Sequence, residues 1–261
     1  MTAALVLCGG RGTRLRAVLP DRPKPMAGVA GRPFLDWLLL HLRACGIRHV
    51  VLSTGHKAEV IGAHYATTRI PGMEILCARE PVPLGTGGAV VHAASSAEHL
   101  HGWARNTPGW LVLNGDSLAP SDYSLLPAET AKRNADAAIL AVHVPDASRF
   151  GTLDVGSDGH LRAFQEKHPG AGLINAGVYY LSRESLSEFP ARRPLSMERE
   201  AIPGLLERGR RIIVPVVQAP FIDIGIPESL ASAGTFLQEE MPHLNNPLHL
   251  AGPENPTKQS K

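Results

Sequence analysis

Short uninterrupted apolar runs alternate with longer periodic stretches over roughly the first half of the chain. AALVLC (3–8), HVVLST (49–54), MEILCARE (73–80) and WLVLN (110–114) have the length and composition of strands. A run without polar alternation suits a strand buried on both faces. Between these runs, PFLDWLLLHLRACG (33–46) has helical length, a proline near its start and a glycine at its end. KAEVIGAHYA (57–66) predicts a second helix, and GGAVVHAASSA (87–97) a third, entered through a glycine loop. Strand and helix alternating at this spacing predict an α/β fold with a Rossmann-like, doubly wound, mostly parallel sheet. In such sheets ligands sit beyond the carboxyl ends of the strands, near the switch in strand order.

The second half changes character. AAILAVHV (137–144), GTLDV (151–155), HLRAFQEK (160–167) and LINAGVYYLS (173–182) read as strands joined by turns such as GSDG, so this part is mixed or antiparallel. MEREAIPGLLERG (197–209) predicts a helix interrupted by Pro203. IIVPVV (212–217) and FIDIG (221–225) follow as strands, and PESLASAGTFLQEEM (227–241) is the last helix. No internal repeat is present. We expect one domain over residues 1–240, and a loosely ordered tail over 241–261.

Composition narrows the classes. The 261 residues are 44% hydrophobic and 19% charged, with a formal net charge of +2. That balance is too even to attract nucleic acid or a membrane in bulk, so neither is an expected partner. No run approaches the eighteen or so apolar residues of a membrane span. Cys8, Cys45 and Cys77 are widely spaced and form no CxxC pair, which suits reduced thiols. With an N-terminal apolar run too short for a signal core, a cytoplasmic location is expected.

The charge that exists is concentrated. GGRGTRLRAVLPDRPKP (9–25) follows the first strand and carries Arg11, Arg14, Arg16, Arg22 and Lys24. Amides freed by glycine beside cationic side chains make a polyanion cradle. No G-K-[ST] follows to make a Walker loop. The dinucleotide fingerprint also fails, because its third glycine position holds Leu15. Two prolines hold Lys24 on a stiffened segment, which lowers the entropy lost when its ammonium meets a phosphate.

Other candidates admit plainer readings. Asp116, after Asn114 and Gly115, could be a ligand, a solvated strand end or a helix cap. Asp223 lies among Phe221, Ile222, Ile224 and Ile226, where a carboxylate needs a partner or a metal. Glu166 and Lys167 could form a surface ion pair, and the glycines of LGTGGA a simple helix start. His99 and His101 lack a third ligand at metal-binding spacing.

Taken together, LCGGRGTRL (7–15) with RPKP (22–25), EPVPLGTGGAV (80–90), LVLNGDS (111–117), FQEK (164–167), LINAGVYYL (173–181) and FIDIGIPE (221–228) resemble the sugar-1-phosphate nucleotidyltransferases, motif by motif and in order. The LGTGGA, NGDS and FIDIGIP forms are most similar to those of the D-glycero-D-manno-heptose 1-phosphate guanylyltransferases. The resemblance implies a nucleotide-diphospho-sugar transferase fold, with a nucleotide-binding half over about 1–120 and a sugar-binding half over about 121–240. It implies attack of a sugar 1-phosphate on the α-phosphorus of a nucleoside triphosphate, releasing pyrophosphate.

By the same resemblance Arg14 meets the leaving phosphates and Lys24 the α-phosphate, with Gly9, Gly10, Gly12 and Thr13 lining the turn. Gly85, Thr86, Gly87 and Gly88 offer backbone edges to the base. Asp116 and Asp223 hold Mg²⁺. Glu166, Asn175 and Gly177 meet the sugar, and Lys167 its phosphate.

GTP is implied by analogy alone, since backbone edges suit purine and pyrimidine alike. A pyrimidine-nucleotide transferase acting on hexose or N-acetyl-sugar phosphates is the alternative. A non-catalytic sugar-nucleotide-binding subunit is another, although such a chain should lose a cation or metal residue that this one retains. SMERE (196–200) departs from the family's usual SFE or SLE form, which leaves its contribution to the sugar pocket open. A homo-oligomer is compatible with all of this.

Overall fold

The computed structural model describes residues 2–165 and 169–245. Glu166 and Lys167 lie outside the described residues, as do residues 246–261 of the expected tail.

The four predicted strands form as β1 (Ala3–Leu7), β2 (His49–Thr54), β3 (Glu74–Arg79) and β4 (Gly109–Asn114). They pair in parallel in the order β3-β2-β1-β4. The chain steps outward from β1 to β3 and then crosses to the other side of β1. The strand order therefore reverses between β1 and β4, and the loops leaving those two strands diverge over a crevice.

Helices α1 (Phe34–Ala44), α2 (Ala58–Thr67) and α3 (Gly85–Leu100) make the connections. Ala4 and Val6 of β1 face one core with Trp37 and Leu38 of α1, while Ala3 and Leu5 face another with Val90, Ala93 and Ala97 of α3. Neither face of β1 meets water, which is why its sequence shows no alternation. Gly46, at φ +83°, ends α1 in the left-handed conformation that favours glycine. The buried carboxylate of Asp36 in α1 is held by His64 Nε2 at 3.0 Å and Tyr65 Oη at 2.8 Å, both from α2. Those bonds offset the cost of removing the charge from water.

The second half adds β5 (Ser117–Leu118), α4 (Leu125–Lys132), β6 (Ala137–Val144), β7 (Thr152–Val155), β8 (Leu161–Gln165) and β9 (Gly172–Ser182). The long β9 runs antiparallel to β4 on one side and to β6 on the other, meeting β7 at Ile174. The sheet is thus mixed but mostly parallel at its centre, as the pattern predicts. The β9–β6 register breaks between Asn175 and Tyr179. Gly177 sits in that break at φ +74°, where an added Cβ would lie 2.7 Å from both Asn114 Nδ2 and Ser117 Oγ.

The remaining elements add to or refine the expected pattern. Helix α4 had no prediction; it buries only Leu126 and Thr130, too little for visible periodicity. Pro203 marks a change of helix type, in keeping with the predicted interruption: a π-helical turn over Met197–Ala201 runs directly into α5 (Ile202–Glu207), whose first turn holds the proline. IIVPVV forms two short strands, Ile212–Ile213 and Val216–Val217, both parallel to β6 and parted at Val214 and Pro215. β10 (Ile222–Asp223) pairs antiparallel with β5, and α6 (Pro227–Glu240) follows. Beyond it, Met241 and Leu244 are buried in the α1-side core, so the tail does not begin loose at residue 241.

A side chain at 177 needs both a left-handed backbone and room that Asn114 and Ser117 occupy. Gly177→Ala is expected to destabilise the fold by about 1–3 kcal/mol or more. Urea unfolding measures this, and an unchanged midpoint would show that the register break relaxes freely.

Candidate active site

The carboxyl ends of the parallel strands surround a cavity of about 970 Å³. Its walls come from the loop after β1 (Gly9, Gly10, Gly12), the turn after β2 (Gly55), the start of α3 (Gly85, Thr86) and the end of β4 (Asn114, Asp116). Two close approaches make the crevice. Gly115 donates its N–H to the Leu7 carbonyl at 3.0 Å, extending the β1–β4 ladder by one step. A Cβ at Gly9 would lie 2.5 Å from Glu80 Oε1, whose partner oxygen accepts the Leu84 N–H at 3.0 Å. Glu80 therefore braces the phosphate-type loop against the entry to α3.

Gly12 takes the left-handed conformation at φ +56° and starts a short 3-10 turn, Thr13–Leu15, with Leu15 buried beneath it. Arg14 points into solvent from that turn, and Arg11 lines the cavity. Lys24 opens a second 3-10 turn, set by the extended Pro23 before it and Pro25 after it. Its ammonium lies 2.5 Å from Asp116 Oδ2.

Asp116 and Asp223 are more than one hundred residues apart and meet through the small β5–β10 pair. Asp223 lies opposite Ser117, and Ile224 donates its N–H to the Asp116 carbonyl at 2.9 Å. Asp223 Oδ1 accepts the Gly225 N–H at 2.8 Å and faces Arg149 Nη2 at 3.5 Å. Glycine at 225 leaves space for the Asp223 carboxylate and the lysine, since a Cβ there would overlap Asp223 Oδ1 and lie 3.3 Å from Lys24 Nζ. Burial raises the pKa of Asp223, and the neighbouring charge of Asp116 raises it further; Lys24 and Arg149 oppose both effects. Arg149 gave no signal in the sequence, because nothing in RFG marks a residue that reaches a carboxylate from another segment.

The other expected residues divide. Gly85 and Thr86 face the cavity, but the N–H groups of Gly87 and Gly88 bond the Leu195 carbonyl at 2.8 and 3.3 Å. Those two glycines thus hold a second segment of chain and have no amide left for a base. Asn175 and Gly177 lie together in the β9 register break, with Gly177 N–H bonded to Asn175 Oδ1 at 2.9 Å. Glu166 and Lys167 fall outside the described residues. Among the described residues, no group of three or more His, Cys, Asp and Glu side chains could hold a metal. No described helix is long and apolar enough to cross a membrane.

An α/β sheet with a glycine-lined cavity at its switch point, with Arg11, Lys24 and Asp116 on its walls and Asp223 brought beside Lys24 and Asp116, defines a phosphate-handling nucleotide-binding protein. The chain belongs to the nucleotidyl transferase family, whose model matches residues 3–240.

It is 38% identical to mannose-1-phosphate guanylyltransferase of Mycobacterium tuberculosis, over 86% of this chain and 61% of that one. It is 34% identical to D-glycero-alpha-D-manno-heptose 1-phosphate guanylyltransferase of Campylobacter jejuni, over 86% of this chain and 95% of the relative. The chain thus spans about three fifths of the mycobacterial relative and nearly all of the other. Among solved structures, HddC from Yersinia pseudotuberculosis complexed with GMP-PN aligns with a TM-score of 0.76 and 32% identity, covering 91% of this chain and 100% of that one.

Because its pKa is raised on folding, ionised Asp223 opposes folding. The penalty is absent below the ordinary aspartate pKa of about 3.9 and grows as the pH rises through the raised value. Asp223→Asn is therefore expected to raise the thermal midpoint of the ligand-free protein at pH 7, the gap narrowing toward pH 4. A midpoint unchanged or lowered at pH 7 contradicts this electrostatic picture.

Proposed function

We propose that the chain transfers a guanylyl group from GTP to D-glycero-D-manno-heptose 1-phosphate, giving the GDP-sugar and pyrophosphate. The observation that carries the reading is the Lys24 ammonium, held against Asp116 and beside Asp223 at the edge of a glycine-lined cavity. The guanylyltransferase relatives support the nucleotide. The heptose 1-phosphate relative, matched over 95% of its length, supports the sugar.

In this reaction a phosphate oxygen of the sugar phosphate attacks the α-phosphorus. The bond from that phosphorus to the bridging oxygen breaks, and pyrophosphate leaves with the electron pair. The nucleophile is already anionic, so alignment and charge neutralisation matter more than a strong base. Lys24 would supply a compact charge at the α-phosphate, and its place against Asp116 supports that role. Arg14 would take the leaving phosphates with its planar fork, and Arg11 on the cavity wall is suited to the same task. The turn of Gly9, Gly10, Gly12 and Thr13 would cradle the phosphates, while Gly85 and Thr86 would border the base. Asn175, Gly177 and Glu166 would meet the sugar, and Lys167 its phosphate.

Asp116 and Asp223 fit a divalent cation: the charge of Asp116 opposes ionisation of the part-buried Asp223, and a cation between them relieves that repulsion. They would hold Mg²⁺, which when bound neutralises and orients the phosphates. With only two protein carboxylates, the rest of the shell falls to phosphate oxygens and water.

A second reading, mannose 1-phosphate as the acceptor, is favoured by the 38% identity to the mycobacterial mannose-1-phosphate enzyme.

Pyrophosphate release is the test, with GTP, CTP, UTP and dTTP each against heptose, mannose, glucose and N-acetylhexosamine 1-phosphates. Turnover is expected with GTP and heptose 1-phosphate and should be lost on chelation of Mg²⁺. Preference for mannose 1-phosphate supports the second reading, and silence across the matrix sinks both. Lys24→Ala should lower kcat by about 10²–10³-fold with an unchanged circular-dichroism spectrum; wild-type turnover removes Lys24 from the reaction.

A further inference from the structure

A continuous string of hydrogen bonds leaves the nucleotide end of the cavity and reaches the β9 register break. Thr86, in the first turn of α3, accepts the Met197 N–H at 2.8 Å and donates its hydroxyl to Glu198 Oε2 at 3.5 Å. Glu198 Oε1 accepts the Tyr179 hydroxyl at 2.9 Å. Tyr179 Oη in turn accepts Asn175 Nδ2 at 2.5 Å, and Asn175 Oδ1 accepts the Gly177 N–H.

Both ends dictate the direction of every bond. A backbone N–H only donates, so Asn175 must turn its oxygen to Gly177 and its amide nitrogen to Tyr179. An ionised carboxylate only accepts, so the tyrosine proton points to Glu198 and the threonine proton toward it as well. Tyr179 is fully buried, and burial together with the Glu198 charge holds its hydroxyl well above the usual tyrosine pKa. Its proton is therefore present at any physiological pH.

The backbone makes the same connection. Leu195 donates its N–H to Leu84 at 2.8 Å, and its carbonyl accepts the Gly87 N–H at 2.8 Å. A Cβ on Gly85 would lie 2.5 Å from that carbonyl, so only glycine lets the two segments meet. Residues 195–198 are thus clasped to the start of α3 on one side and, through Glu198, to β9 on the other. A core strand has no packing need for a hydroxyl where phenylalanine would fill the same space. The buried Tyr179 hydroxyl is accounted for by its two polar partners.

We propose that Glu198 is a positioning residue: through Thr86 it sets the base-side entry to α3, and through Tyr179 it sets Asn175 on the sugar side. The inference rests on the functional reading above, in which Thr86 and Asn175 border different substrates. It gives the SMERE segment a role in holding the two half-sites in one geometry, without contact between Glu198 and either substrate.

The test compares Tyr179→Phe, Thr86→Val, Glu198→Ala and Glu198→Gln in steady-state kinetics and in calorimetric binding of GTP and D-glycero-D-manno-heptose 1-phosphate, each titrated separately. Tyr179→Phe keeps the ring and removes the hydroxyl's bonds to both Glu198 and Asn175, so the KM and Kd for sugar phosphate should rise about tenfold, with those for GTP within twofold. Thr86→Val should show the reverse split, and Glu198→Ala should raise both. Glu198→Gln keeps an oxygen to accept the tyrosine proton and should recover most of the sugar-side loss. Unchanged constants for Tyr179→Phe and Glu198→Ala, or equal losses for both ligands in Tyr179→Phe, overturn the proposal. A wild-type protein that binds both ligands but releases no pyrophosphate refutes the enzymatic reading and still lets binding judge Glu198. One that binds neither overturns both.

Discussion

The ladder that runs from Ala3 opposite Trp110 to Leu7 opposite Asn114 sets the ends of β1 and β4 side by side. Both strands are covered on both faces by helices, so their register is held by two cores at once. The Asn114–Gly115–Asp116 turn stays packed against Leu7, Cys8 and Pro25 at Gly115, and the glycine-rich loop from Gly9 onward opens away from it. The crevice between them follows from that pairing. The rest of the site is arranged around it: Lys24 crosses it to Asp116, and the β5–β10 pair brings Asp223 to its far side.

Charge at this crevice is arranged in opposition. Two carboxylates share a partly buried space, and each has a cation beside it, Lys24 for Asp116 and Arg149 for Asp223. Ionised Asp223 is still unfavourable there, as the upward shift of its pKa records. A fold concerned with stability alone would place an amide or an apolar group at this position. Retaining two acids near one another makes sense where a divalent cation and phosphates complete the charge balance. The glycines around the site serve close approach. Gly9 admits Glu80, Gly225 leaves room for Lys24, and Gly177 lets β9 bend against Asn114 and Ser117.

Most of the fold was legible in the sequence, because a strand buried on both faces and a helix with a buried stripe leave strong signatures. The four parallel strands and the first three helices fall where the apolar runs placed them. What escaped were α4, which buries two side chains, and the parting of IIVPVV into two strands at Val214 and Pro215, where tertiary context decides whether a missing N–H matters. At the site, the residues within motifs could be nominated through their resemblance to the family's motifs in order, since taken singly Asp116 and the LGTGGA glycines admit plainer readings. Arg149 and Glu198 could not, because each matters through a partner far away in the chain, and Tyr179 reads in an apolar strand as an ordinary core residue.

The sequence by itself therefore determined the strand–helix alternation, the basic glycine loop after β1, and the acids at Asp116 and Asp223. These are local facts, carried by the burial and backbone freedom of neighbouring residues. Only the tertiary structure decided that Lys24 meets Asp116, that Gly87 and Gly88 hold Leu195 rather than a base, and that Glu198 joins Thr86 to Tyr179. Those contacts span 92, more than one hundred and 112 residues. Side chains so far apart in the chain meet only once the sheet has set its strand order, and no local pattern encodes that order.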